Sequence, residues 1–129
     1  MNASSVLLLT RDPEVESALK QALVRKNIHV VVARGAGEAL ETLCNLAEQL
    51  DFAVIDFSEG CHGMTLLSAI NGCEPSLPVI VITSTDRYRV AAIAYANGVD
   101  ACLAKPVNPE ELEILIEALA VPKLLLEAA

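Results

Sequence analysis

The chain has 129 residues, of which 53% are hydrophobic and 20% charged, and a net charge of -8. That length suits a single domain, large enough to bury most of its apolar surface without staples. The composition excludes a disordered chain, and the acidic balance argues against direct nucleic-acid binding, which needs a basic footprint to neutralise phosphates.

No apolar run approaches the ~20 residues of a membrane span. The segment Met1 to Ser5 holds no basic residue and the first apolar run stops at Leu9, too short for a signal peptide. The chain is therefore expected in the cytoplasm, with no membrane partner. Its largest basic cluster is Arg87-Tyr88-Arg89.

The pattern alternates between strand and helix five times along the chain. Val6 to Leu9 is a continuous apolar run, as in a strand buried on both faces. Asp12-Pro13-Glu14 follows as an N-cap, a proline at the first helical position and an acid in the first turn. Val15, Ala18, Leu19, Ala22 and Leu23 then recur at helical spacing, and Asn27 is expected to close the helix. His29 to Ala33 is the second strand, broken by Gly35 and Gly37. The second helix is expected from about Glu38 to Gln49. Phe52 to Ile55 is the third strand, and Ser58 to Gly63 a loop with two glycines. A short third helix is expected from Met64 to about Ile70.

Val79 to Ile82 is the fourth strand. Arg87 to Asn97 is the fourth helix, stopped by Gly98. Ala101 to Ala104 is the fifth strand. Asn108-Pro109-Glu110-Glu111 repeats the capping signature and opens a fifth helix, expected to end at Pro122. Residues 1–122 are thus expected to form the domain, with 123–129 an apolar tail, either the start of a linker or a segment that packs on a partner.

Cys44, Cys61, Cys73 and Cys102 form no C-x-x-C pair and no zinc-ligand spacing. They are expected to be reduced, small hydrophobes. Cys61-His62 is expected to be a loop cysteine and a solvated histidine.

Strands alternating with helices of about ten residues predict a parallel sheet covered on both faces. Right-handed crossovers then give a three-layer, doubly wound α/β fold of the flavodoxin-like type, with strand order 2-1-3-4-5. Ligands bind such sheets at the carboxyl ends of the strands. Four of the strand runs there meet polar residues: Thr10-Arg11-Asp12, Asp56, Thr83-Ser84 and Lys105-Pro106. Asp56, Thr83 and Lys105 are therefore expected to share one site, with Thr10 to Asp12 beside Asp56.

These residues carry a family resemblance. Val6 to Leu9 with Asp12-Pro13, Asp51 to Asp56, Pro78 to Ser84, Gly98 to Pro106 and Pro109 to Leu112 together resemble the receiver domain of two-component response regulators, the CheY-like family. The resemblance covers nearly all of residues 6–119. It implies that Asp56 accepts a phosphoryl group from a histidine kinase, that Thr83 hydrogen-bonds that group, and that Lys105 pairs with it. It also implies a cis Lys105-Pro106 bond. The chemistry suits the residues: a carboxylate can attack phosphorus, and the dianionic product needs a cation and a hydroxyl donor.

The sequence departs from the family where the metal binds. Receivers place two adjacent acids after the first strand to hold Mg²⁺ with the phosphoacceptor; here they are Thr10 and Arg11. The exchange moves the formal charge of the site by about three units. Arg11 is expected to take the metal's place and pair with Asp56, giving an Arg11–Asp56–Lys105 cluster. Asp12, a possible substitute ligand, is expected to serve instead as a helix cap. Gly60 stands where the family has proline, and Cys102 where it has a switching aromatic ring. The expectation is a degenerate, non-enzymatic receiver without a cofactor, acting through protein contacts. The alternative is a conventional phosphoacceptor phosphorylated on Asp56, with Mg²⁺.

Function would then lie on a face. Ala91, Ala94 and Tyr95 are expected against the sheet, with Val90, Ile93 and Ala96 forming an outward row. With Cys102, these residues are candidates for an interface. The resemblance implies dimers or outputs docked on the fourth helix, fifth strand and fifth helix, where Glu110, Glu113 and Glu117 face outward. A flavodoxin-like enzyme or nucleotide binder is a third class, but no G-x-G-x-x-G or P-loop supports it.

Overall fold

The computed structural model describes residues 4–58, 60–84 and 87–128, without the side chains of 87, 88 and 120–128. The strands are β1 (Ser4–Leu9), β2 (Ile28–Ala33), β3 (Leu50–Asp56), β4 (Val79–Thr83) and β5 (Ala101–Ala104). The helices are α1 (Pro13–Ala22), α2 (Ala36–Leu46), α3 (Gly63–Cys73), α4 (Arg87–Ala96) and α5 (Pro109–Ala128), with a 3₁₀ turn at Ala47–Gln49. The five strands form one sheet in the order β2-β1-β3-β4-β5, and every pairing is parallel. This is the doubly wound fold expected from the alternating pattern.

The sheet is buried on both faces, which is why its central strands are apolar without alternation. Leu7, Leu9, Ile55 and Val81 pack with Leu43, Leu66, Leu67 and Ile70 on the side of α2 and α3. Val6, Leu8, Val54 and Ile82 pack with Val15, Leu19, Leu112 and Ile116 on the side of α1 and α5. Both predicted caps form. Asp12 accepts from the Glu14 amide at 2.9 Å, and Asn108 accepts from the Glu110 amide at 2.8 Å. Gly98 ends α4 with φ +84, and Val99 N–H returns to the Ala94 carbonyl at 3.3 Å.

Several boundaries differ from the sequence expectations. α1 ends at Ala22 rather than Asn27, because Lys26 N–H turns back to the Leu23 carbonyl at 2.9 Å. α5 does not stop at Pro122 but runs to Ala128. A proline removes one helical hydrogen bond, and the leucines, alanines and lysine around it are strong helix formers. The side chains of the apolar tail, and Glu59 in the loop before α3, lie outside the described residues. Tyr95 does not face the sheet. It is 53% exposed, and its hydroxyl accepts from the Cys102 amide at 3.2 Å. A phenol keeps its polar end where a partner or water can reach it.

The strand ends carry the site, and α3 presses closely against one of them. A Cβ on Gly63 would lie 2.6 Å from the Phe57 ring and 2.9 Å from Ile55. Gly63→Ala is expected to destabilise the fold by about 1–3 kcal/mol through overpacking, read as a lower urea midpoint with an unchanged m-value.

Candidate functional site

Backbone hydrogen bonds beyond the strands fix the edge. Thr10 N–H donates to the Ala33 carbonyl at 3.0 Å, Phe57 N–H to Ile82 at 2.9 Å and Lys105 N–H to Thr83 at 2.9 Å. Each ladder thus extends past its strand and holds the polar residue that follows. The Lys105-Pro106 peptide is cis, as the resemblance implied.

Asp56 is fully buried at the end of β3. Its Oδ2 accepts from the Thr10 hydroxyl at 2.7 Å and lies 3.1 Å from Lys105 Nζ. Its Oδ1 accepts from the Ser58 amide at 2.9 Å and from the Ser58 hydroxyl. A carboxylate offers about four lone-pair sites, and four donors use them. Lys105 Nζ also reaches Ser58 Oγ at 2.8 Å and Asp12 Oδ2 at 3.0 Å. Asp12 therefore does two things at once. One oxygen caps α1 and the other joins the charge cluster. Thr10 links the two acids, accepting from the Asp12 amide at 3.0 Å while donating to Asp56.

Charge follows this geometry. The hydrogen bond from Lys105, aided by that from the Glu14 amide, holds the Asp12 carboxyl below its ordinary value. Partial burial works to lower the Lys105 ammonium. The bonds and charges of Asp12 and Asp56 outweigh it, and the ammonium sits above its ordinary value.

Arg11 is not in the cluster. No ion pair joins it to Asp56; its Nε donates to the Arg34 carbonyl at 2.8 Å. Arg34 answers by donating to the Thr10 carbonyl at 3.3 Å and pairs with Glu16 at 2.7 Å. The guanidinium lies along the loop at Gly60, where a Cβ would come within 3.2 Å of its Nη1 and φ is +91. The expected Arg11–Asp56–Lys105 cluster is therefore corrected to Asp12–Lys105–Asp56. A guanidinium is long and well solvated on the exposed side, while Thr10 and Lys105 already satisfy Asp56.

Thr83 is buried beside Asp56 along the sheet edge, yet its hydroxyl turns to the Leu103 carbonyl at 3.4 Å. Cys61 is in the core rather than in an open loop. Burial, and then the charge of Asp56, pushes its thiol up. His62 adopts a left-handed conformation, φ 57, before α3. Ser58 was not singled out in the sequence. Its signal is an Asp-x-Ser step in a loop, since aspartate favours bonds to the amide two residues on.

Mg²⁺ takes near-octahedral oxygen ligands, commonly carboxylates and waters. Here the Thr10 hydroxyl is engaged with Asp56, Arg11 is cationic, and Asp12 and Asp56 share an ammonium. Among the described residues, no group of three or more His, Cys, Asp or Glu side chains could hold a metal. In this arrangement the Asp56 and Asp12 oxygens that such an ion would need are already engaged by Thr10, Ser58 and Lys105.

Residues 6–117 match the family model described as a response regulator receiver domain. The chain belongs to that family. Receiver domains are signalling modules of two-component systems, and this chain has the fold and ordered strand-end residues of one. It is 31% identical over 108 residues to the transcriptional regulatory protein GlrR of Escherichia coli, covering 83% of this chain. It is 29% identical over 113 residues to a cyclic di-GMP phosphodiesterase of Thermotoga maritima, covering 87% of this chain. The chain spans only 24% and 30% of those relatives. The receiver domain crystal structure from Clostridium thermocellum superposes with a TM-score of 0.83 at 24% identity, over 95% of this chain and 98% of that one. The CheY-like receiver from Methanospirillum hungatei superposes with a TM-score of 0.77 at 27% identity, over 94% and 97%. No helix among the described residues is long and apolar enough to cross a membrane.

A test of the cluster is its pH dependence. The folded-state value of Asp12 is lowered from 3.8, so its pairing stabilises the fold above that pH and is lost as pH falls through the folded value. Asp12→Asn keeps a good cap but loses the ion pair. Urea melts are expected to show the variant less stable at pH 7, with the gap closing towards pH 3. Thr10→Val is expected to cost about 1.5–3 kcal/mol, a lost hydrogen bond to a buried charge, by the same melts at pH 7.

Proposed function

We propose that this receiver works through protein contacts and does not carry out Mg²⁺-assisted phosphoryl transfer to Asp56. The observation behind this reading is the saturated Asp56 carboxylate, bonded by Thr10, Ser58 and Lys105. For a divalent ion to bind, it would have to displace the Thr10 or Lys105 contact and sit beside a residue pair that supplies no acid. Thr10, Lys105 and Asp12 then act as structural replacements for a metal centre. The module is not an enzyme, needs no cofactor and belongs in the cytoplasm, without direct contact to nucleic acid or membrane.

Its partners are a histidine kinase or another signalling protein, or a second copy, met on the face of α4, β5 and α5. Ile93 and Ile114 support this surface, being 47% and 68% exposed. Ala96 is exposed as well, while Val90 and Cys102 are half-buried.

A second reading keeps Asp56 as a working phosphoacceptor. It is favoured by Lys105, which already stands within 3.1 Å of Asp56, and by Thr83 on the adjoining strand. A carboxylate oxygen would attack phosphorus while the bond to the donor histidine breaks, and Thr83 would have to turn from Leu103.

Acetyl phosphate with Mg²⁺, followed by intact-mass measurement, separates the two. The protein is expected to stay unmodified. A stoichiometric phosphoryl adduct that disappears in Asp56→Asn would establish the second reading. Thr10→Asp combined with Arg11→Asp is expected to create Mg²⁺ binding, by titration calorimetry, where the unaltered protein gives none.

A further inference from the structure

We propose that the recess at the end of the sheet opposite Asp56 is a docking site for an arginine-rich segment of a partner protein, with leucine-like residues among its cations. The recess measures about 570 Å³ and lies where β3, β4 and β5 begin. The 3₁₀ turn, the residues after α3 and two side chains of α5 complete its wall. Its floor is apolar: Leu50 is buried, and Leu77, Pro78 and Leu119 are half-buried. Glu48, Asp51, Glu74 and Asp100 line it as well, with no lysine, arginine or histidine among the lining residues.

These acids are short of counter-ions. Among the described residues no cation pairs with Glu48, Glu74 or Asp100; the ion pairs lie elsewhere. Asp100 uses one oxygen to accept from the Val79 amide at 2.8 Å, and Asp51 is already engaged. Lys123, the one cation of α5, can answer a single acid at most. The sequence explains the shortage. Residues 35–86 hold no lysine or arginine, while the remainder of the chain holds nine acids and nine bases, so the whole net charge of -8 falls on that stretch. α2 and α3 end on this side of the sheet with no basic residue in their last turns, and a helix C-terminus adds partial negative charge of its own.

Floor and wall together select the occupant. Arginine lays its stem along apolar surface and keeps its guanidinium at the rim, where a planar fork pairs with a carboxylate. Leucine beside it removes apolar area of the floor from water. A second copy of this chain brings the same net charge of -8 and is repelled as a whole. β3 runs from Leu50 at the recess to Asp56 at the far end, so docking here leaves the Asp56 cluster untouched.

The probe is a blocked hexapeptide of alternating arginine and leucine, titrated into the ¹⁵N-labelled full chain. Shifts are expected at the Leu50, Leu77 and Asp100 amides, fading as salt is raised. Glu48→Gln with Glu74→Gln removes two unpaired surface charges and is expected to weaken binding by about tenfold. Two further ligands test the same contacts on the unaltered protein. A peptide with serine in place of leucine is expected to bind about tenfold more weakly, because the floor stays wet. Spermine, which has charge without apolar side chains, is expected not to reproduce the shifts. The proposal is overturned if the arginine-leucine peptide shifts none of these amides at millimolar concentration, or if the glutamine variant binds it unchanged. It is equally overturned if the serine peptide or spermine binds as well, or if the same amides shift with protein concentration alone, the mark of a second copy in the recess.

Discussion

Asp56 takes a carboxylate out of water at the end of a strand that is buried on both sides. The effective cost of removing such a charge is several kcal/mol, and the edge of the sheet is built to offset it. Thr10 follows β1, Ser58 follows β3 and Lys105 follows β5, and each contributes a donor. Three connections far apart in sequence are thereby tied to one side chain. The backbone bonds that carry Thr10, Phe57 and Lys105 one step past their strands set the distances.

The same bonds determine what the site can do. In a receiver with acids after β1, two carboxylates face the acceptor, repel it, and call for a cation. Thr10 and Arg11 reverse that electrostatic demand. Thr10 becomes a donor inside the cluster, and Arg11 leaves it for the carbonyl of Arg34, where a reciprocal bond from Arg34 joins the loops after β1 and β2. Lys105 keeps the position that the family uses for a phosphoryl group, but it bridges Asp56 and Asp12 instead. The resting site is internally neutralised to a degree that the family pattern is not, and this favours a module whose output depends on its surfaces.

Much of this was legible in the sequence because apolar periodicity and capping residues act locally. The continuous run Val6 to Leu9, the Asp12-Pro13 and Asn108-Pro109 starts and the stop at Gly98 gave the elements and, with crossover handedness, the strand order. Convergence of Asp56, Thr83 and Lys105 on one edge followed from topology alone. What was not legible depended on side-chain competition. Arg11 and Lys105 were both candidates for Asp56, and only three-dimensional reach decides that Lys105 and Thr10 win. Asp12 looked like a cap or a ligand and is a cap and an ion-pair partner. Ser58 acts through a turn too short to leave a pattern. Tyr95 looked like a core residue by register, but its hydroxyl favours the β5 edge. Pro122 is locally a helix breaker, overruled by the helix formers on either side.

The most direct test of the account is a crystal structure determined in a high concentration of Mg²⁺. The account predicts that Thr10 and Lys105 stay on the Asp56 carboxylate, that Arg11 stays with Arg34, and that no octahedral ion touches Asp56. An ion coordinated by Asp56, with the Thr10 hydroxyl and Lys105 ammonium displaced from it, would contradict the account.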